Sequence, residues 1–206
     1  MKISVGLLAY NSERWIAESA GCLQPYVDEV FVLIDKLTND STARILDEMK
    51  IPYAYREWNH NYADAKNALL DHLTGDWIII LDDDEKYSNE GARTLVETIK
   101  YFDTFVNSRI DGFEVKMKQH YPYWTTNEED YLKEFGFNPH LSVFRKGYRF
   151  QNKVHESVPV PPQNRRMMVN GVFIHHHAWK GNREKYEAPK HNYYKDISEG
   201  KEVEHL

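Results

Sequence analysis

Residues 75–86 read Gly-Asp-Trp-Ile-Ile-Ile-Leu-Asp-Asp-Asp-Glu-Lys. Five consecutive apolar residues, Trp77–Leu81, lie between a glycine and an acidic run. That pattern marks a short buried strand, the most hydrophobic in the chain. Upstream, Tyr62, Ala65, Leu69 and Leu73 recur at helical spacing, and Gly75 stops that helix. Further back, Pro52–Tyr55, Val30–Ile34 and Ile3–Leu8 read as strands. Trp15, Ile16, Ala20 and Leu23 line one helical face between the first two, and a second helix begins near Asp40 with Ile45, Leu46 and Met49 turned inward. Downstream, Leu95, Val96, Ile99, Phe102 and Val106 mark a longer amphipathic helix. Alternating strands and helices imply an α/β fold with a parallel, Rossmann-like sheet covered on both faces. Ligands in such folds bind beyond the carboxyl ends of the strands. Asn11, Asp35 and the acidic run at 82–85 all fall at such ends.

The second half changes character. Gly112–Lys118 and His140–Phe144 read as strands, separated by a connector that is rich in Tyr121, Tyr123, Trp124, Tyr131, Phe135 and Phe137 and poor in helical periodicity. A proline-containing loop, VPVPPQ, precedes a last strand, Val169–Ile174, which runs into His175, His176 and His177. Asn182–Ile197 suits a polar helix. No repeat or long linker divides the chain, so its 206 residues read as one domain.

Composition narrows the function. With 41% hydrophobic and 28% charged residues the chain has the profile of a globular protein. Lys and Arg number 26 against 32 Asp and Glu, a net charge of −6 that gives no support for a broad nucleic-acid or anionic-membrane surface. The single cysteine, Cys22, excludes an internal disulfide and a four-cysteine zinc site. No apolar run approaches the roughly 20 residues of a membrane helix. Glu13, Arg14 and Glu18 interrupt the N-terminal apolar stretch, which reads as a first strand of a cytoplasmic protein rather than a leader.

Three clusters have chemical potential. Carboxylates at the end of a buried strand offer oxygen ligands to a hard cation, and Asp82 and Asp84, two apart, share a side if the backbone stays extended; the alternative is a solvated acidic turn. In His175-His176-His177, strand alternation sends the outer two rings one way and His176 the other. Imidazole is a common transition-metal ligand, and the alternative is a surface histidine cluster. In His155-Glu156, a positioned Glu suits a general base with its neighbour orienting it, and a surface ion pair is the alternative. Lys66 and Asn67, taken alone, pass as ordinary surface residues.

Their order is more informative than any one of them. ISVGLLAYNSE, IDKLTNDST, NYADAKNALL, GDWIIILDDDE, FRKGYRFQNKVHES and FIHHHAW follow one another in a sequence that resembles the family 2 glycosyltransferases of the GT-A fold. The likeness is closest to short bacterial and phage members related to lipopolysaccharide-core and peptide glucosyltransferases, and it runs from about residue 2 to 195. The family's opening Tyr-Asn is Tyr10-Asn11. Its Asp-x-x-Ser-x-Asp-x-Thr pattern is matched by Asp35, Thr38, Asp40 and Thr42, with Thr38 in place of the usual Ser. Its Arg-Asn pair is Lys66-Asn67, and Lys keeps the charge but loses the bidentate geometry of Arg. Its Asp-x-Asp-Glu is Asp82, Asp84 and Glu85. His176 aligns with the family's C-terminal histidine because Trp179 then falls on its aromatic.

The resemblance implies a single GT-A domain over 1–206, with a nucleotide-sugar half at 1–110 and an acceptor half at 111–206 that adds a smaller mixed sheet. It implies inverting transfer of a sugar from a nucleoside diphosphate-sugar, a UDP-sugar foremost, to a glycan, lipid-linked, peptide or modified-nucleotide acceptor. Asp84, with Asp82 and His176, is the implied ligand set for Mn²⁺ or Mg²⁺, the histidine favouring Mn²⁺. Tyr10, Asn11, Asp35, Asp40, Lys66, Asn67, Asp82, His155 and Trp124 are the implied donor and acceptor contacts. Inversion by single displacement demands a base on the acceptor side: Glu156 is the first candidate, and Asp130 with Glu129 the second. Two rivals remain at this stage. A nucleotidyltransferase would want a Gly-rich basic loop near the first strand, where Gly6 stands alone; a non-catalytic nucleotide- or sugar-binding module would tolerate losses among the carboxylates, which are intact.

Overall fold

The computed structural model describes residues 1–104, 110–119, 139–162, 165–177 and 193–201. The aromatic connector, with Trp124, Glu129 and Asp130, lies outside the described residues, as do Trp179 and residues 182–192 of the expected C-terminal helix.

The elements run β1 (Ile3–Ala9), α1 (Ile16–Gly21), β2 (Glu29–Asp35), α2 (Thr42–Met49), β3 (Tyr53–Arg56), α3 (Tyr62–His72), β4 (Trp77–Asp82), β5 (Glu85–Lys86), α4 (Asn89–Thr104), β6 (Gly112–Gln119), β7 (Pro139–Arg145) and β8 (Arg166–His176), and a short helix covers 193–198. One eight-stranded sheet of order β3-β2-β1-β4-β7-β6-β8-β5 joins them. β3, β2, β1 and β4 pair in parallel, β7 enters antiparallel to β4 and β6, and β8 runs parallel to β6. The mixed acceptor-side strands therefore continue the central sheet and do not form a second one.

Strand alternation divides the core. Trp77, Ile79 and Leu81 pack with Ile16, Leu46, Leu95 and Ile99 on one face, and Ile78 and Ile80 pack with Leu69, Leu70, Leu73 and Phe150 on the other. The second face needs α3 very close to β1. A Cβ at Gly6 would stand 2.9 Å from Leu73 Cδ1 and 3.1 Å from Leu69 Cδ2, so a larger residue would displace those leucine methyls. At the amino end of β4, the Trp77 indole donates to Asp103 (3.0 Å), and the Arg145 guanidinium lies 4.4 Å above the same ring while bonding Asp103 at 2.8 Å. Asp111, 6% exposed, accepts from Tyr148 (2.6 Å) and pairs with Arg165, closing that end. The carboxyl end is left for the site.

Candidate active site

Chain order reverses beside β1, with β2 and β3 laid down on one side and β4 on the other. The crevice beyond that switch point is where an α/β sheet takes a ligand. Tyr10 and Asn11, Asp35 and Asp82 stand at the ends of β1, β2 and β4.

The four acidic residues after Leu81 take four different directions. Asp82 pairs with Lys66 of α3 at 3.0 Å. Asp83 turns beneath the β1–α1 loop: its carboxylate accepts from the Tyr10 N–H (3.2 Å) and the Ser12 hydroxyl, and its carbonyl accepts from Ser19 (2.8 Å). Asp84 faces His176 at 3.3 Å and accepts the His177 N–H through its carbonyl (2.8 Å). Glu85, 4% exposed, accepts the Asp82 N–H at 3.0 Å from within β5.

These surroundings separate their acidities. Burial raises the Asp82 carboxyl, but the Lys66 ammonium more than reverses that and holds it well below the ordinary range. Burial, then repulsion from Asp84, pushes Asp83 up to about 7. Burial, then repulsion from Asp82, pushes Glu85 up to about 8.

Lys66 is the hub. Its side chain is 9% exposed and its ammonium also meets Glu156 at 2.7 Å. Burial alone would lower its pKa; Asp82 and Glu156 raise it above the ordinary lysine value instead. A residue that reads as surface in the sequence is thus a buried cation clamped between two strand-distant carboxylates. Asn67, its neighbour, accepts from the Phe150 N–H (2.8 Å) and donates to the Phe150 carbonyl (3.0 Å). Its amide ties α3 to the segment leading to Glu156.

The residues at the ends of β1 and β2 interlock similarly. Asp35 accepts the Leu37 N–H at 2.8 Å, shaping the turn after β2. Asp40 accepts from the Thr42 N–H (2.9 Å) and hydroxyl (2.6 Å) with one oxygen and from the Glu13 N–H (2.8 Å) with the other. Despite partial desolvation those bonds keep its carboxyl below the ordinary range. Asn11, at φ 48°, accepts the Asn39 N–H at 2.9 Å. Tyr10 keeps 37% of its surface exposed at the crevice.

Of the three histidines, His176 is the one whose ring meets Asp84; it stands opposite Glu85 in the β5–β8 ladder. Burial lowers its pKa, and Asp84 outweighs that and leaves it raised. Its buried Nδ1 has no hydrogen-bond partner among the described residues. His177 stacks on Trp15 at 4.8 Å, and His175 lies opposite Lys86. Among the described residues no group of three or more His, Cys, Asp or Glu side chains is arranged to hold a metal ion. Of the expected Asp82–Asp84–His176 set, Asp84 and His176 meet directly, while Asp82 pairs with Lys66 and interacts with His176 through its charge. Asp84 and His176 still offer an oxygen and a nitrogen side by side, which suits an ion that takes its other ligands from water and phosphate oxygens.

One site residue has no sequence signal. His140 of β7 interacts electrostatically with Asp82, Lys66, Glu156 and His176, and desolvation holds its pKa below the ordinary value. A lone histidine in Asn-Pro-His-Leu has no motif; only the pairing of β7 beside β4 brings it to the site.

The chain belongs to glycosyl transferase family 2, whose model matches residues 4–179. It is 25% identical over 105 residues to the SPbeta prophage-derived glycosyltransferase SunS of Bacillus subtilis, a stretch covering 50% of this chain and 25% of SunS. It is 34% identical over 92 residues to the putative glycosyltransferase EpsE of Bacillus subtilis, covering 41% of this chain and 33% of EpsE. Among solved structures, TarS 1–349 of S. aureus in complex with UDP-GlcNAc superposes with a TM-score of 0.61 at 16% identity, covering 90% of this chain and 61% of that one. That likeness shows the GT-A fold. The matched stretches span a quarter to a third of the length of SunS and EpsE. Among the described residues no helix is long and apolar enough to cross a membrane.

Proposed function

We propose that this chain transfers a sugar, with inversion, from a UDP-sugar to an acceptor nucleophile with the help of a divalent cation. The observation that carries this reading is the convergence, at the carboxyl ends of β1, β2 and β4, of Asp35, Lys66, Asp82 and the Asp84–His176 pair within a family 2 fold. The UDP-GlcNAc held by the similarly folded TarS supports the choice of donor.

In this reading Tyr10 and Asp35 receive the nucleoside, and Asp82 receives its ribose. Asp84 and His176 would hold Mn²⁺ or Mg²⁺, the imidazole favouring Mn²⁺; a cation there neutralises charge on the leaving diphosphate. Lys66 is the protein's own cation for that diphosphate. Glu156, its partner at 2.7 Å, is the carboxylate that takes the acceptor's proton. Glycan, lipid-linked, peptide and modified-nucleotide acceptors all fit this chemistry.

Incubation with a panel of nucleotide-sugars and Mn²⁺ tests the reading. Metal-dependent release of nucleoside diphosphate supports it. Release of pyrophosphate points to a nucleotidyltransferase, and no release to a binding module; either overturns it. Glu156→Gln lowers turnover by about 10²–10⁴-fold with donor binding retained if Glu156 is the base. Near-normal turnover in Glu156→Gln with loss in Asp130→Asn assigns that role to Asp130.

A further inference from the structure

The helix over 193–198 reaches back across 135 residues of chain to grip the segment before α3. Tyr193, 7% exposed, accepts the Trp58 indole N–H at 2.6 Å and lies 3.0 Å from His60 Nδ1. Tyr194 then meets Tyr62 and His155 edge-on, with ring centroids at 5.7 and 6.1 Å. Trp58 closes the group against Tyr62 at 4.6 Å. Tyr62 is the first residue of α3, and its N–H donates to the Lys153 carbonyl at 2.9 Å.

Trp58, His60, Tyr62, Tyr193 and Tyr194 thus form one ring cluster, which meets the segment ending in His155-Glu156 through the Tyr194 ring against His155 and the Tyr62 N–H on Lys153. That segment contains two residues in the left-handed region, Asn152 at φ 72° and His155 at φ 53°. Non-glycine residues enter that region only occasionally, Asn and His among the more frequent, so the backbone of the segment is irregular at two points. Among the described residues, Tyr194 packs edge-on against the His155 ring.

We propose that the helix over 193–198 is a clasp that fixes the His155–Glu156 segment at the crevice, Tyr193 pinning the helix and Tyr194 pressing on the segment, so that both tyrosines are positioning residues for sugar transfer. This rests on the reading of the crevice given above. The geometry gives each tyrosine a separate task. The hydroxyl of Tyr193 secures the helix to Trp58 and His60, while Tyr194 bonds the Tyr62 side chain and lays its ring edge-on against His155, the neighbour of Glu156.

Hydrogen exchange of the intact chain, read at the Tyr62 amide bonded to Lys153 and the Ser157 amide bonded to Gln151, tests the clasp without reference to activity. Tyr193→Phe and Tyr194→Leu are expected to speed exchange at both amides by about tenfold, with the Leu7 amide of β1 unchanged. Lys195→Ala, on the exposed side of the same helix, is expected to leave both amides as they are. Transfer turnover is expected to fall about tenfold in the two tyrosine variants while the donor KM stays within about twofold, the signature of misplacement rather than lost binding. Trp58→Phe is expected to add little to Tyr193→Phe, since the Trp58 bond is one of the two that Tyr193→Phe already removes. Unchanged exchange at Tyr62 and Ser157 overturns the clasp, and altered exchange with unchanged turnover overturns its positioning role. A wild-type chain without transfer overturns the transferase reading, and the exchange rates still decide whether the helix holds the segment.

Discussion

Lys66 and Glu156, 90 residues apart in sequence, form a 2.7 Å ion pair inside the fold, with Asp82 on the other side of the same ammonium at 3.0 Å. This triad joins α3, β4 and the segment after β7 into one electrostatic unit. Removing only the cation leaves two carboxylates facing each other in a partly dry site. Lys66→Met is expected to destabilise the fold by about 2–4 kcal/mol in urea unfolding. Adding Glu156→Gln to Lys66→Met is expected to restore part of that loss; an additive double variant would dissolve the triad as a unit.

Asp83 and Asp84 are separable by what each change disturbs. If Asp84 holds the cation as proposed, Asp84→Ala is expected to reduce transfer by about 100-fold or more with little change in unfolding midpoint. Asp83→Ala removes the acceptor of the Tyr10 and Ser12 bonds and is expected to cost about 1–3 kcal/mol of stability. Sequence spacing alone treats Asp83 as a spare residue between two ligands; the structure makes it the anchor of the β1–α1 loop. Equal losses of transfer at matched stability would contradict this division.

Donor affinity tests the nucleotide side. Asp35→Ala is expected to weaken binding of UDP with Mn²⁺ by about 1–3 kcal/mol in calorimetry, as a buried polar partner loses its match. Unchanged affinity removes Asp35 from the pocket.

The amino end of the sheet supplies a pH dependence. Desolvation raises the Asp103 carboxyl, but the Trp77 and Arg145 bonds prevail and keep it below its ordinary value. A carboxyl depressed in the folded state binds fewer protons there than when unfolded, so its stabilisation is present above the unfolded pKa. It is lost as pH falls through the folded one. Urea midpoints of wild type and Asp103→Asn are expected to differ at pH 7 and to converge towards pH 3. A constant gap would assign the effect to packing.

Much of this arrangement is legible in the sequence, because strand ends and helix faces follow from periodicity over several residues. β4 and its flanking elements follow from Trp77–Leu81, and the ends of β1 and β2 place Tyr10, Asn11 and Asp35. What escapes is set by pairing across the chain. β5 is two residues long, and only β8 opposite makes Glu85–Lys86 a strand. The expected start of α2 near Asp40 falls two residues early, because Asp40 accepts the Thr42 N–H from outside the helix. His140 has no local pattern, and Lys66 gives no sign of burial until Asp82 and Glu156 close on it.

Gly6 has a consequence for the site although it touches none of its residues. Leu69 and Leu73, which a side chain at position 6 would meet, lie on the same inward stripe of α3 as Lys66, at intervals of three and four. The gap between β1 and α3 is therefore a spacer set from behind the crevice: a methyl group at position 6 would press on the Leu69 and Leu73 side chains, on the stripe of α3 that also carries Lys66. Residues 6, 69 and 73 together set how closely that stripe lies on β1.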